Sequence, residues 1–209
     1  MFTKVLFKGI IPSQHVSMTR IEEVSMVLSD RDIKKQLQQG RICITPLDMD
    51  DIQPASVDVH LGSNFRIFKN STQAFIDPLQ TQEGLTESID VKEGGIFVLQ
   101  PGQFALGTTV ERISVPCDIL GKLEGKSSLG RIGLMIHSTA GYVDPGWEGE
   151  ITLELSNVAT LPIILHPGMR IGQMSFEQMT SPVERPYGSA GLGSHYQGQS
   201  GACPSYHLR

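Results

Sequence analysis

The sequence predicts an all-β fold, a distorted jelly-roll barrel preceded by one N-terminal helix. Three observations carry this. Short apolar segments recur at 96–99, 104–107, 110–115, 151–155, 161–165 and 171–176. Turns such as Pro101-Gly102, Pro145-Gly146 and Pro167-Gly168 fall between them at the close spacing of a sandwich or barrel. One stretch near the N-terminus shows helical spacing, and a second short helix is the most the remainder allows. With 209 residues the chain suits a single domain with a full core. Its net charge of −5 argues against a nucleic-acid surface, which needs a basic face. No apolar run approaches the roughly 20 residues of a membrane-spanning helix. Cys43, Cys117 and Cys203 are odd in number and scattered, which does not make a disulfide framework and points to a reducing, cytoplasmic compartment.

In chain order, residues 1–25 fit poorly with the rest of the chain and lack the apolar core and cleavage site of a secretory signal. They are expected to be a non-native or disordered extension, with the native start at Met26. Glu22-Glu23-Val24 can be encoded by a purine-rich ribosome-binding sequence just upstream of that methionine. A helix is expected next: Ser29 is a good N-cap, Asp30 and Asp32 occupy the positive first turn, and Gly40 ends it. Ile33 and Leu37, four apart, face the core. Residues 56–61 alternate, placing Val57, Val59 and Leu61 on one face and Asp58 and His60 on the other, where a paired structural role is expected. Residues 65–68 continue as a strand, and 72–94 read as a polar excursion with a short strand around Phe75-Ile76.

The chemistry-bearing residues gather between Gly125 and Ser156. Lys126, Ser127, Ser128 and Arg131 share one short Gly-flanked segment, a composition suited to phosphate because hydroxyls and a forked guanidinium both donate to it. Asp144 precedes Pro145-Gly146 and by itself reads as a turn residue. Glu154 lies on the face opposite Ile151, Leu153 and Leu155. From the residues alone a solvated outer position and a site position remain balanced for it. Two other motifs fail. Gly121-Lys122-Leu123-Glu124-Gly125-Lys126-Ser127 is one residue short of a P-loop and lies among strand signals. Pro116-Cys117 has Leu120 where a zinc deaminase needs a second cysteine, and no His-x-Glu occurs.

Further segments join these: Gln53-Pro54-Ala55-Ser56-Val57-Asp58, Gly125-Lys126-Ser127-Ser128-Leu129-Gly130-Arg131, His137-Ser138-Thr139-Ala140-Gly141, Asp144-Pro145-Gly146-Trp147 and Pro167-Gly168-Met169-Arg170-Ile171-Gly172-Gln173. Together with Tyr187, Tyr196 and Gln199 of the Gly/Ser-rich tail, they resemble the dCTP deaminase family of the dUTPase superfamily, from Met26 to the C-terminus. The resemblance implies a homotrimer with shared sites and zinc-independent hydrolytic deamination of dCTP. It divides the chain into the extension 1–25, a catalytic barrel 26–180 and a flexible flap 181–209. Glu154 would be the general acid/base, Ser127 would orient the attacked centre, and Arg131 would stabilise the activated water or the phosphates. Asp144 would bind the deoxyribose 3′-hydroxyl. Lys126, Ser128, Thr139, Ala140, Gly141 and Gln173 complete the substrate-binding set, with Tyr187, His195, Tyr196 and Gln199 closing over a triphosphate bridged by Mg²⁺. His195 stands where the family pattern has Lys. Gly141, where deaminase-only relatives are bulkier, resembles the bifunctional members that form dUMP, so dUTP is also an expected substrate and dTTP a possible feedback inhibitor. A monofunctional deaminase, a plain dUTPase and a non-catalytic nucleotide-binding regulator are the alternatives.

Overall fold

The computed structural model describes residues 26–69, 75–80 and 84–206; the 1–25 extension lies outside the described residues. Helix α1 (Asp30–Gln38) begins where expected, with Ser29 Oγ accepting the Asp32 N–H and Gly40 in positive φ just beyond its end. Strands β1 (Cys43–Thr45), β2 (Ile52–Gln53), β3 (Ser56–His60), β4 (Asn64–Phe68), β5 (Thr86–Asp90) and β6 (Phe97–Leu99) come next, with a 3₁₀ turn at Met49–Asp51. The second half contains β7 (Phe104–Ser114), β8 (Ile119–Gly125), the four-residue helix α2 (Ser127–Gly130), β9 (Leu134–Met135) and β10 (Tyr142–Val143). Then come β11 (Glu148–Asn157), β12 (Ile163–Leu165) and β13 (Arg170–Gln178).

The chain is mostly β, as the sequence predicts. The strands form three sheets: β5-β4-β7-β11-β9 with β1 also on β7, β10-β8-β13-β3-β2, and the pair β12-β6. Every ladder between named strands is antiparallel, as short turns between consecutive strands require. The core lies between the sheets, with Phe65 stacked on Phe97 at 4.2 Å and Leu61, Leu99, Leu153, Leu155, Ile171 and Phe176 fully enclosed.

Three expectations are corrected. Phe75-Ile76 is not a strand: Phe75 is 79% exposed, and the β segment of that excursion is β5, where Thr86–Asp90 can pair with β4. Residues 104–107 and 110–115 are not two strands but one, β7. Its ladder with β11 has a register shift in which residues 109–111 lie opposite Ile151 alone. Thr109 Oγ1 accepts the Ile151 N–H there, so the irregularity leaves no orphaned donor. Residues 119–125, read only as strand-like surroundings of a failed P-loop, are the full strand β8. The bulge also re-aims Glu111, whose buried carboxylate accepts from the His60 N–H and meets His60 Nδ1 at 2.7 Å. The paired structural role expected for Asp58 and His60 is therefore present: Asp58 takes Lys126, and His60 takes Glu111.

Leu153 is enclosed on the core face of β11. Truncation by Leu153→Ala should lower the unfolding free energy by about 2–5 kcal/mol, since the sheet on either side limits collapse of the cavity. Denaturant unfolding measures this; a loss below about 1 kcal/mol would mean that the core face is loosely packed.

Candidate active site

Alternation along β11 settles the position of Glu154. Ile151, Leu153 and Leu155 enter the core, while Thr152 and Glu154 face a cavity of about 400 Å³. Ala140, Asp144, Tyr187, Tyr196 and Gln199 line the same cavity, so these seven residues from four separated segments of the sequence meet there. Strand neighbours supply an apolar end through Phe68, Phe104 and Leu106.

The Glu154 carboxylate is held from one side. Its Oε2 accepts the Ser138 N–H at 2.6 Å and the Thr139 N–H at 3.2 Å, while its own N–H bonds to Ile136 O. Two amides on one oxygen fix the carboxylate's orientation and leave Oε1 for a proton-bearing ligand. Thr139 thus acts through its backbone. Ala140 lies on the wall itself, and Gly141 O accepts from Leu123 N at 2.8 Å. Gly141 is not in positive φ, so its identity is not a backbone requirement. A Cβ there would stand 3.3 Å from Leu123 O and 3.7 Å from the His137 ring, so a larger residue would crowd this corner.

The tail closes the cavity by pairing with β11. Gly198 N donates to Glu148 O, Glu150 N donates to Gln199 O, and Gln199 Nε2 reaches Glu150 O and Thr152 Oγ1. Tyr187 packs edge-on against Trp147, and its hydroxyl accepts the Tyr196 N–H. Burial raises the Tyr187 phenol above its ordinary range, outweighing those hydrogen bonds, so it stays protonated. His195 stacks on Tyr206 and is not on the cavity wall.

The phosphate-type segment is elsewhere. None of Lys126, Ser127, Ser128 or Arg131 lines the cavity. Arg131 Nε donates to Ser127 Oγ at 3.3 Å and, among the described residues, has no carboxylate partner. Gln173 also lies off the wall, accepting from Ser56 Oγ. Among the described residues the wall carries no Lys or Arg.

Sequence reasoning missed several lining residues. Thr152 was recoverable, because period two puts it beside Glu154. His137 and Trp147 stood inside recognised motifs but had no role. Of the four buried side-chain N/O atoms without a partner among the described residues, three line this cavity: His137 Nδ1, Trp147 Nε1 and Gln199 Oε1. Unpaired buried polar groups are uncommon and mark positions under functional demand. Cys203 is on the wall too, its thiol pushed up by burial and therefore a weak nucleophile.

Comparison with known proteins fits this geometry. Residues 27–179 match the family described as dCTP deaminase-like. The chain belongs to the dCTP deaminase-like family. It is 57% identical over 180 residues to a dUMP-forming dCTP deaminase of Mycolicibacterium vanbaalenii, covering 86% of this chain and 95% of the relative. It is 53% identical over 180 residues to the Corynebacterium kroppenstedtii protein of the same name, covering 86% and 96%. Among solved structures, the 2′-deoxycytidine 5′-triphosphate deaminase of Agrobacterium tumefaciens shares the fold with a TM-score of 0.58 at 24% identity. That alignment covers 74% of this chain and 47% of the other.

The tail's grip on β11 is testable. Gln199→Ala removes both side-chain bonds, and should speed amide hydrogen exchange across residues 196–203 while leaving exchange at 153–155 unchanged. Unchanged exchange in the tail would show that its backbone bonds suffice.

Proposed function

We propose that this protein deaminates dCTP and then hydrolyses the triphosphate, giving dUMP, ammonia and diphosphate. The observation that carries the reading is the convergence of Glu154, with its carboxylate fixed by two amides, and Asp144, Ala140, Tyr187, Tyr196 and Gln199 on one cavity. The names of the relatives at 53–57% identity support it.

In the first step Glu154 Oε1 takes a proton from water as the water oxygen bonds to C4 of cytosine. Glu154 passes that proton to N3 of the ring, then takes the proton of the new C4 hydroxyl and delivers it to the amine, so that the C4–N bond breaks, ammonia leaves, and a uracil C4 carbonyl with an N3–H remains. A positioned acid/base of this kind contributes roughly 10²–10⁴-fold. Asp144 accepts from the deoxyribose 3′-hydroxyl, and the backbone at Ala140 reads the base edge. In the second step water attacks the α-phosphorus, and the bond to the bridging oxygen breaks to release diphosphate. The room left at Gly141 supports a second water, oriented with help from Asp144. Mg²⁺ accompanies the substrate. Its ligands would be phosphate oxygens and water. Bound so, it would neutralise the charge that builds on the phosphates.

The lack of Lys or Arg on the wall bears on assembly. A triphosphate needs cations, and residues 126–131 bring two together: Arg131, with no carboxylate partner among the described residues, and Lys126, whose ammonium keeps donors beyond its bond to Asp58. We place that segment of one copy over the cavity of its neighbour in a homotrimer of dUTPase-type barrels, with Ser127 orienting the attacked centre and Arg131 stabilising the activated water or the phosphates. The domain division is 26–180 for the barrel and 181–209 for the flap, and dTTP is a candidate inhibitor of the same site.

Glu154→Gln should retain dCTP binding and lose ammonia release by about 10²-fold or more. Near-normal deamination would remove Glu154 from the chemistry. With the wild-type protein, chromatography should find dUMP and diphosphate at one per ammonia; dUTP accumulating instead would confine the activity to deamination. The shared site has its own test. Mixed trimers of Arg131→Ala and Glu154→Gln should recover activity that neither variant has alone, and no recovery in verified heterotrimers would place both residues in one chain's site.

A further inference from the structure

Lys126 immediately precedes Ser127–Gly130, and its ammonium lies 2.6 Å from Asp58 Oδ1. Asp58 is 2% exposed, on the middle of β3, and its other oxygen is 3.6 Å from Arg170 Nε. Arg170 is itself committed to Asp51, with Nε at 2.9 Å and a terminal nitrogen at 2.8 Å from Asp51 Oδ1. Lys126 is therefore the near partner of Asp58, and Arg170 the distant one. A buried carboxylate is costly without a close cation, so the fold demands this bond.

The demand works in the other direction as well. A lysine side chain on a surface turn samples many rotamers, and the bond to Asp58 removes most of that freedom. An ammonium has three donors. Asp58 takes one, no other acceptor reaches Lys126 among the described residues, and the side chain remains 25% exposed. Two donors stay available, at a fixed place, beside Ser127, Ser128 and Arg131.

We infer that Asp58 is a positioning residue for phosphate recognition: from beneath the sheet it presets Lys126, and with it the segment 126–131, for the nucleotide's triphosphate. This rests on the proposal that the segment serves the phosphates. Asp58 touches no substrate and acts only through Lys126.

Steady-state kinetics with dCTP on full-length wild type, Asp58→Asn, Lys126→Met and the double variant test it, with melting temperatures measured alongside. Lys126→Met should raise KM about ten-fold, the worth of one charge-assisted hydrogen bond, with kcat nearly unchanged. Asp58→Asn should raise KM in the same way. In the double variant KM should match that of Lys126→Met to within about two-fold, because nothing is left to position. Effects that multiply in the double variant, or a normal KM for Asp58→Asn, would overturn the coupling while leaving the role of Lys126 intact. A normal KM for Lys126→Met would instead overturn the phosphate reading of the segment, and the proposal with it. If Asp58→Asn fails to fold, the double variant against Lys126→Met still decides: Lys126→Met leaves the Asp58 carboxylate buried without its near cation, and Asp58→Asn in the double variant removes that charge, so melting temperatures separate stability from KM. A further ten-fold rise between those two at equal melting temperature would refute the proposal.

Discussion

The alternation of β11 is the constraint on which the rest of the structure depends. Thr152 and Glu154 face the cavity while Leu153 and Leu155 face the core, so a one-residue slip would bury Glu154 and expose Leu153 and Leu155. Register is therefore held on both sides. β7 pairs along nearly the whole strand on one side. On the other, the work is divided: β9 pairs at Ser156 and Asn157, Ile136 O takes the Glu154 N–H, and the tail takes Glu148 and Glu150. The Glu154 carboxylate is placed by the same backbone bonds that place the core.

This division explains why a Gly/Ser-rich tail adopts one path. It buries little apolar surface, Ala202 being its one enclosed hydrophobic residue among those described. Its order comes from finishing the hydrogen bonding of a strand that is otherwise paired on one side only there. Gly149, which borders both Trp147 and Gln199, leaves space for this: a Cβ would stand 2.9 Å from the indole and 3.2 Å from the Gln199 backbone. A ligand in the cavity would touch the tail and β11 together, so binding and tail order are coupled through the Gln199 bonds.

What the sequence made legible was local. The Ser29 cap, the Gly40 stop and the faces of β3 and β11 come from short-range rules and are where those rules put them. The failures were of partnership. Phe75-Ile76 has strand propensity but no ladder to join, whereas the more polar Thr86–Asp90 has β4. The Thr108-Thr109 interruption divided one strand into two segments, because a bulge breaks alternation over a few residues much as a turn does. In the site, Glu154 stayed ambiguous from its own strand, because its amide partners at Ser138 and Thr139 come from a turn outside it. The pairing of Lys126 with Asp58 spans 68 residues and leaves no periodic trace in the sequence.

The cationic segment lies off the cavity wall, and this separation has a chemical logic. The wall combines Ala, Trp and Tyr side chains with the carboxylates of Glu154 and Asp144, and a water-poor lining of this kind strengthens the hydrogen bonds made within it. If Glu154 exchanges protons as proposed, cations fixed beside it would favour the charged carboxylate and oppose that exchange. Binding a triphosphate requires those same cations. Placing them on a turn anchored by Asp58, outside the proton-handling wall, lets the two demands be met by different parts of the chain. A site assembled from two copies would bring the charges to the phosphates while keeping them away from the carboxylate that must change its protonation state.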